Sequence, residues 1–163
     1  MAEETRRVPA FLSGPTTATA VLLPMRLYAG YWWLKLGLGK LSSGWLATDQ
    51  QPLSDAIKEL HAPGWFDVTF LAAANENIYL FQWLIVLAEL LFGAMMLAGA
   101  ATRVAGVALA VMALLAFTAA GYDFGSWYIP MALISLTLAV AAAGRYLGID
   151  AILRARMVKV PLF

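Results

Sequence analysis

The chain has 163 residues, of which 62% are apolar and 13% charged, with a net charge of +1. Soluble domains average about 45–50% apolar and about 25% charged. With a mean hydropathy of +0.75, the composition therefore excludes a disordered chain, a nucleic-acid-binding tail and an ordinary soluble enzyme.

Four apolar runs follow in order, about 18–41, 78–101, 104–120 and 127–143. A helix needs roughly 20 residues to cross the hydrocarbon of a bilayer, fewer or more with tilt. The expected fold class is thus all-α, a polytopic membrane protein in one domain. It is a bundle of four transmembrane helices with a short amphipathic helix in the first outer loop. Arg6 and Arg7 precede the first run, but Pro24 and Arg26 break it and it continues to Leu41. It reads as an uncleaved span rather than a signal peptide. Only Thr102 and Arg103 separate runs two and three, which predicts a tight hairpin. Pro130 falls where a first helical turn tolerates it.

The loop at 42–77 contains Pro52-Leu53-Ser54 and then Asp55–His61, read as a short helix with Ser54 as its N-cap and Ala62-Pro63-Gly64 as its stop. Leu53, Ile57 and Leu60 share one face of it. Trp65, Phe66, Val68, Phe70 and Leu71 follow, an aromatic density suited to a membrane interface and to a lid over that end of the bundle. Positive charge sorts to the other side. Arg6 and Arg7, then Arg103, then Arg145, Arg154, Arg156 and Lys159 flank the spans. The positive-inside rule places both termini, including the tail 144–163, in the cytoplasm. The basic tail 154–159 suits a partner or anionic lipid.

Charges inside the spans are expensive and normally face the bundle interior. Arg26, Gly30, Trp33, Gly37 and Lys40 share one face of the first span, and Gln82, Glu89, Gly93 and Met96 one stripe of the second. These stripes are expected to meet. With both spans levelled at their outer ends, Glu89 lies roughly 18 Å deep, Arg26 roughly 22 Å and Lys35 roughly 9 Å. Arg26 is therefore the expected partner of Glu89, and Lys35 is expected to snorkel to the outer headgroups. Two readings of the pair stand side by side. It locks helix register, or with Trp33, Tyr28 and Gln82 it lines a polar pocket for a small ligand or quinone headgroup.

Other chemistry is thinly represented. Without cysteine, thiol–disulfide exchange, thiolate-bound iron–sulfur clusters and covalent haem c are excluded. A single histidine, His61, excludes multi-histidine metal sites and bis-histidine haem ligation. The methionines read as packing, no metal-ligand set stands out, and no phosphate loop, nucleophile elbow or HExxH occurs. No nucleic-acid partner is expected.

The order of short motifs resembles the DoxX/DoxD family of small four-helix bacterial and archaeal membrane proteins. The matching pieces are Arg26-Leu27, Trp33 and Gly37-Leu38-Gly39-Lys40-Leu41. Further along come Glu89-Leu90-Leu91-Phe92-Gly93, Leu97, Gly99 and Thr102-Arg103, then Gly144-Arg145-Tyr146-Leu147-Gly148-Ile149-Asp150. The resemblance spans about 21–150. It implies a four-helix bundle and a link to membrane electron transfer, one branch resembling the large subunit of thiosulfate:quinone oxidoreductase. Carried over by motif position are Arg26, Lys40, Glu89 and Arg103.

Two functions are expected on these grounds. In the first, the chain is an oxidoreductase subunit with a membrane quinone or anion site, working with another membrane or periplasmic subunit. Glu89 and Arg26 are its chemical centre, and Lys35, Lys40, Trp33, Tyr28, Gln82 and Arg103 its binding residues. In the second, it is a non-enzymatic accessory or assembly subunit on a larger membrane complex. Self-association is compatible with either. A small transporter is disfavoured, because no broken-helix pair or inverted repeat is evident.

Overall fold

The structure is a computed structural model that describes residues 20–47, 52–60, 62–145 and 147–156, with the backbone alone for 122–124 and 153–156. Arg6, Arg7, His61, Tyr146 and Lys159 lie outside the described residues, as do the side chains of Arg154 and Arg156. The described residues are helical and include no strand. Two helices are long and apolar enough to cross a membrane, Ile78–Ala98 and Thr102–Gly121.

Helix α1, Leu23–Ser42, has a proline in its first turn, where the missing N–H costs nothing. It ends as Ser43 N–H donates to the Gly39 carbonyl at 3.0 Å. Gly44, at φ 76°, takes the left-handed turn that glycine adopts without strain. Helix α2, Pro52–Glu59, starts earlier than the sequence suggests. Pro52 supplies the first turn, so Ser54 lies inside the helix and is not its N-cap. Its hydroxyl donates instead to Asn75 Oδ1 at 3.1 Å.

The aromatic segment is itself helical: α3 (Gly64–Phe66), a π-helical stretch (Asp67–Leu71) and α4 (Ala72–Glu76). Phe66, Leu71 and Ala74 turn inward, while Trp65 and Val68 face out.

Helix α5, Ile78–Ala98, closes in a Schellman motif. Gly99 sits at φ 66°, its N–H donates to Met96 O at 3.2 Å, and Ala100 N–H donates to Met95 O at 2.8 Å. Helix α6, Thr102–Gly125, is broken at Gly121 (φ 71°, ψ −179°), where the sequence predicts its loop. Helix α7, Tyr128–Val140, has only 13 residues, about 20 Å. A turn through Ala142 and a short 3₁₀ helix, Ala143–Arg145, replace the rest of the expected run. Helix α8, Ile149–Arg156, follows.

The long helices form a ring. The α1–α5 and α6–α7 pairs are the extensive contacts, and α5–α6 and α1–α7 close the circle. Small residues set the approach. A Cβ on Gly30 would stand 2.6 Å from the Leu97 backbone nitrogen, and one on Gly93 2.9 Å from that of Leu34. Without side chains there, the α1 and α5 backbones pack directly. Ala29, Trp33, Met96, Leu109, Met131 and Leu138 fill the centre.

These contacts also define register. Gly30 faces Leu97, Gly93 faces Leu34, and Gly37 faces Glu89 and Leu90. The pair is antiparallel, and α5 runs beyond α1 by roughly eight residues, about 12 Å. The space above the end of α1 is therefore walled by α5 on one side and roofed by α2–α4.

Candidate functional site: two polar ends of one bundle

The face carrying Arg26, Gly30, Trp33 and Gly37 is buried, as is the α5 stripe of Gln82, Glu89, Gly93 and Met96. The two stripes meet, but the charges pair differently from the expectation. Lys40 Nζ donates to both oxygens of Glu89, at 2.6 and 2.8 Å. Arg26 lies about four turns from Lys40 along α1, roughly 21 Å. The expected Arg26–Glu89 pair is therefore replaced by Lys40–Glu89. Levelling the spans at their outer ends mis-set the depths, because α5 overshoots α1.

At the Lys40 end, the pair opens onto a cavity of about 260 Å³. Binding pockets for drug-sized molecules run to roughly 300–1,000 Å³, so this volume suits one small ring. Leu53, Ala56, Ile57 and Leu60 of the α2 segment form its roof. Phe70, Phe81 and Ile85 form one wall, Met112, Leu115 and Ala119 of α6 another, and Trp33 and Tyr128 complete it. Lys40 and Glu89 are the charged residues in this lining, with side chains 22% and 5% exposed.

Three aromatic contacts brace the roof. Phe66 stacks on Phe70 with centroids 5.0 Å apart, Phe70 meets Phe81 edge-on at 5.7 Å, and Lys40 Nζ lies 5.7 Å from the centre of the Trp45 ring. Gln82 Nε2 donates to the Trp45 carbonyl, tying the turn after α1 to the overshooting part of α5. Polar capacity remains unused at this end. Trp33 Nε1, Trp45 Nε1 and Gln82 Oε1 are buried without a hydrogen-bond partner, a condition rare enough in folded proteins to need a reason.

At the opposite end, the polar groups are closely interlocked. Asp150 is 1% exposed. Its carboxylate accepts from Ala101 N–H at 2.5 Å, Thr102 N–H at 3.0 Å and the Thr102 hydroxyl at 2.8 Å. It thus caps the first turn of α6 from a distant part of the chain, satisfying donors that a helix start leaves open. Thr102 Oγ1 in turn accepts from Gly144 N–H at 3.1 Å, and Asp150 N–H donates to Gly99 O at 2.8 Å. Arg26, 2% exposed, donates through Nη1 to Ala143 O at 2.9 Å and through Nη2 to Leu147 O at 3.0 Å. A Cβ on Gly99 would meet this guanidinium at 2.9 Å. Arg26 therefore binds the segment after α7 to α1 and works as a clamp.

Of the residues singled out from sequence, Lys40, Glu89 and Trp33 line the cavity. Gln82 is buried beside it and holds Trp45. Arg26 and Arg103 belong to the other end, where Arg103 is half-buried. Tyr28 is 52% exposed and Lys35 is exposed, so both leave the expected pocket: helical phase turns them away from the buried stripe. Tyr128, Trp45 and Asp150 were missed as site residues. Asp150 does carry a legible signal, an acid in the first turn of an amphipathic helix, but nothing local identifies the distant donors it serves. Among the described residues, no cluster of three potential metal ligands occurs.

No family model matches the chain, and no curated protein or solved structure matches it significantly.

Proposed function

We propose that the chain is an integral membrane subunit of the DoxX-like kind, with α1, α5, α6 and α7 as four spans, that receives a membrane quinone in the Lys40–Glu89 cavity. The observation that carries this reading is an apolar, ring-sized cavity with a buried ion pair in its lining and an amphipathic roof. Glu89 is about 17 Å from one end of α5 and about 13 Å from the other, while Lys40 lies in the last turn of α1, so the pair sits beneath the α2–α4 roof, where α1 stops short of α5. Three charges keep α1 from ranking as a simple apolar span, but Arg26 and Lys40 are turned inward and bonded within the bundle. The short α7 is extended by the turn and 3₁₀ helix beyond it.

A bound quinone supplies two-electron, two-proton redox chemistry. Lys40 would present a cation to a quinone oxygen, Glu89 would hold that ammonium in place, and Phe70, Phe81 and Tyr128 would exclude water from the ring. Electrons from thiosulfate or another donor would come through a partner subunit in a bacterial or archaeal cytoplasmic membrane, with both termini in the cytoplasm. The rival reading is a non-enzymatic accessory subunit. It draws support from Tyr28, Tyr31 and Lys35, which α1 leaves exposed among its apolar outer residues.

The test is titration of the detergent-purified protein with a short-chain ubiquinone, following tryptophan fluorescence. Saturable quenching is expected, with affinity at least tenfold weaker in Lys40→Met and unchanged in Tyr28→Phe. Quenching that does not saturate, or is equal in Lys40→Met, would sink the quinone reading and leave the accessory one.

A further inference from the structure

The walls of the Lys40–Glu89 cavity are not equally closed. On one side stand Trp33, Leu71, Ala74 and Glu89, all buried. On the other stands α6, and there burial stops. Leu109, Ala110 and Ala113 are buried, but no residue from Leu115 to Gly121 is. The cavity takes Leu115, Ala116, Ala119 and Ala120 of that stretch into its lining. The roof helix α2 leans the opposite way. Its buried residue, Ser54, is tied to Asn75 of α4, and α2 packs on α5 without an extensive contact to α6. A seam therefore runs between α2 and the last turns of the α6 span, with the cavity behind it.

Both rims of the seam are apolar. Leu53, Ile57 and Leu60 edge it from the roof, and Leu115, Ala116 and Ala119 from α6. The charges of α2 lie elsewhere. Asp55 and Lys58 pair at 2.9 Å on its exposed face, and Glu59 is exposed beside them. On α6, Ala116, Ala119 and Ala120 carry only methyl groups, so little of that helix reaches toward α2. All three fall inside the apolar stretch Thr102–Gly121, which is long enough to cross a membrane. On the membrane-spanning reading the seam thus faces hydrocarbon, while the polar face of α2 is turned to water.

We infer that this seam is the lateral mouth of the cavity, and that the ligand it admits carries a long apolar tail. The tail runs out between α2 and α6 into the bilayer while the ring stays beside Lys40. The inference rests on the quinone reading above and names the kind of quinone, lipid-tailed rather than tail-less. Volume and polarity select it. About 260 Å³ takes one small ring and leaves no room for a tail. A tail led across the polar face of α2 would meet water, which disfavours it. The α1–α5 side is shut, because the two backbones pack directly at Gly30 and Gly93. The α6–α7 side is an extensive helix pair. Among the described residues, the seam at Ala116 and Ala119 is the apolar way out.

The test compares two ubiquinones by tryptophan quenching in detergent, one with a decyl tail and one with none. Each is read as the ratio of its affinities for variant and unmodified chain, so its partition into micelles cancels. Ala119→Phe should weaken the decyl quinone about tenfold by crowding the mouth. It should change the tail-less quinone less than about twofold. Val111→Phe, on the outward face of α6, should change neither. Should Ala119→Phe fail to fold, the seam is closed chemically instead. The chain has no cysteine, so Ile57→Cys/Ala120→Cys can be joined across the seam by a thiol-cleavable cross-linker. Joining should cost the decyl quinone about tenfold, and a reducing agent should restore its binding. Equal losses of the two quinones in Ala119→Phe would overturn the inference and leave the quinone reading standing. So would a decyl quinone indifferent to the phenylalanine or to the cross-link. Saturable binding of neither quinone to the unmodified chain would overturn both.

Discussion

The two ends of the bundle use polar residues in opposite ways. At the Arg26 end, Asp150, Thr102 and Arg26 spend their hydrogen bonds mainly on backbone groups of two chain segments, 101–102 and 143–147, and glycines bring those segments into contact. At the Lys40 end, one ion pair stands beside open volume. The first arrangement has little room for a ligand and much to lose from any change. The second keeps open volume beside its charges. A buried charge thus says little about function until its partners are known: Arg26 and Lys40 lie on one face of one helix, yet one is a clamp and the other lines a cavity.

The largest expected effect is at the interlocked end. Asp150→Ala removes the acceptor of two backbone N–H groups and a hydroxyl, and should cost roughly 4 kcal/mol in a detergent unfolding titration. Asp150→Asn should cost about half that. Quinone affinity, measured at low temperature on the folded fraction, should not change. Should Asp150→Ala weaken binding as much as stability, the two ends are coupled and the comparison fails.

Lys40→Met comes next. Leaving Glu89 buried without its cation should cost about 3 kcal/mol. The double variant Lys40→Met/Glu89→Gln should regain most of that stability, since the orphaned charge is gone. It should not regain quinone affinity. Recovery of both would make the pair a strut of the same kind as Asp150.

Smaller effects sharpen the picture. Gly30→Ala should cost about 1–3 kcal/mol in the same unfolding titration, because its Cβ has nowhere to go between α1 and the Leu97 backbone. Tyr28→Phe should stay within about 0.5 kcal/mol, as its ring lies outside the bundle. A larger loss there would point to a contact made by the outer face of α1.

Periodicity alone made the inward stripes legible: Arg26, Trp33, Gln82 and Glu89 are each spaced to fall on a helix face, and each is buried. The loop expected from Gly121 is a real break in α6, whereas Pro24 and Gly99, inside the expected runs 18–41 and 78–101, are where α1 begins and α5 ends. The amphipathic α2 was legible as a roof from Leu53, Ile57 and Leu60, although Ser54 proved to be an interior residue bonded to Asn75 rather than a cap. Which charge met which was not legible. Pairing depends on the offset between helices, and a slide of α5 past α1 by about 12 Å exchanges Arg26 for Lys40 as the partner of Glu89 without altering either helix.

By itself, then, the sequence determined the helical class, the apolar character of the long helices and the faces they bury, because these follow from local composition and a 3.6-residue repeat. Tertiary structure decided the register, and with it the Lys40–Glu89 pair, the cavity beneath α2 and the cap that Asp150 places on α6. Those features arise where backbones approach at Gly30, Gly93, Gly99 and Gly144, and close approach between distant segments leaves no periodic trace in the chain.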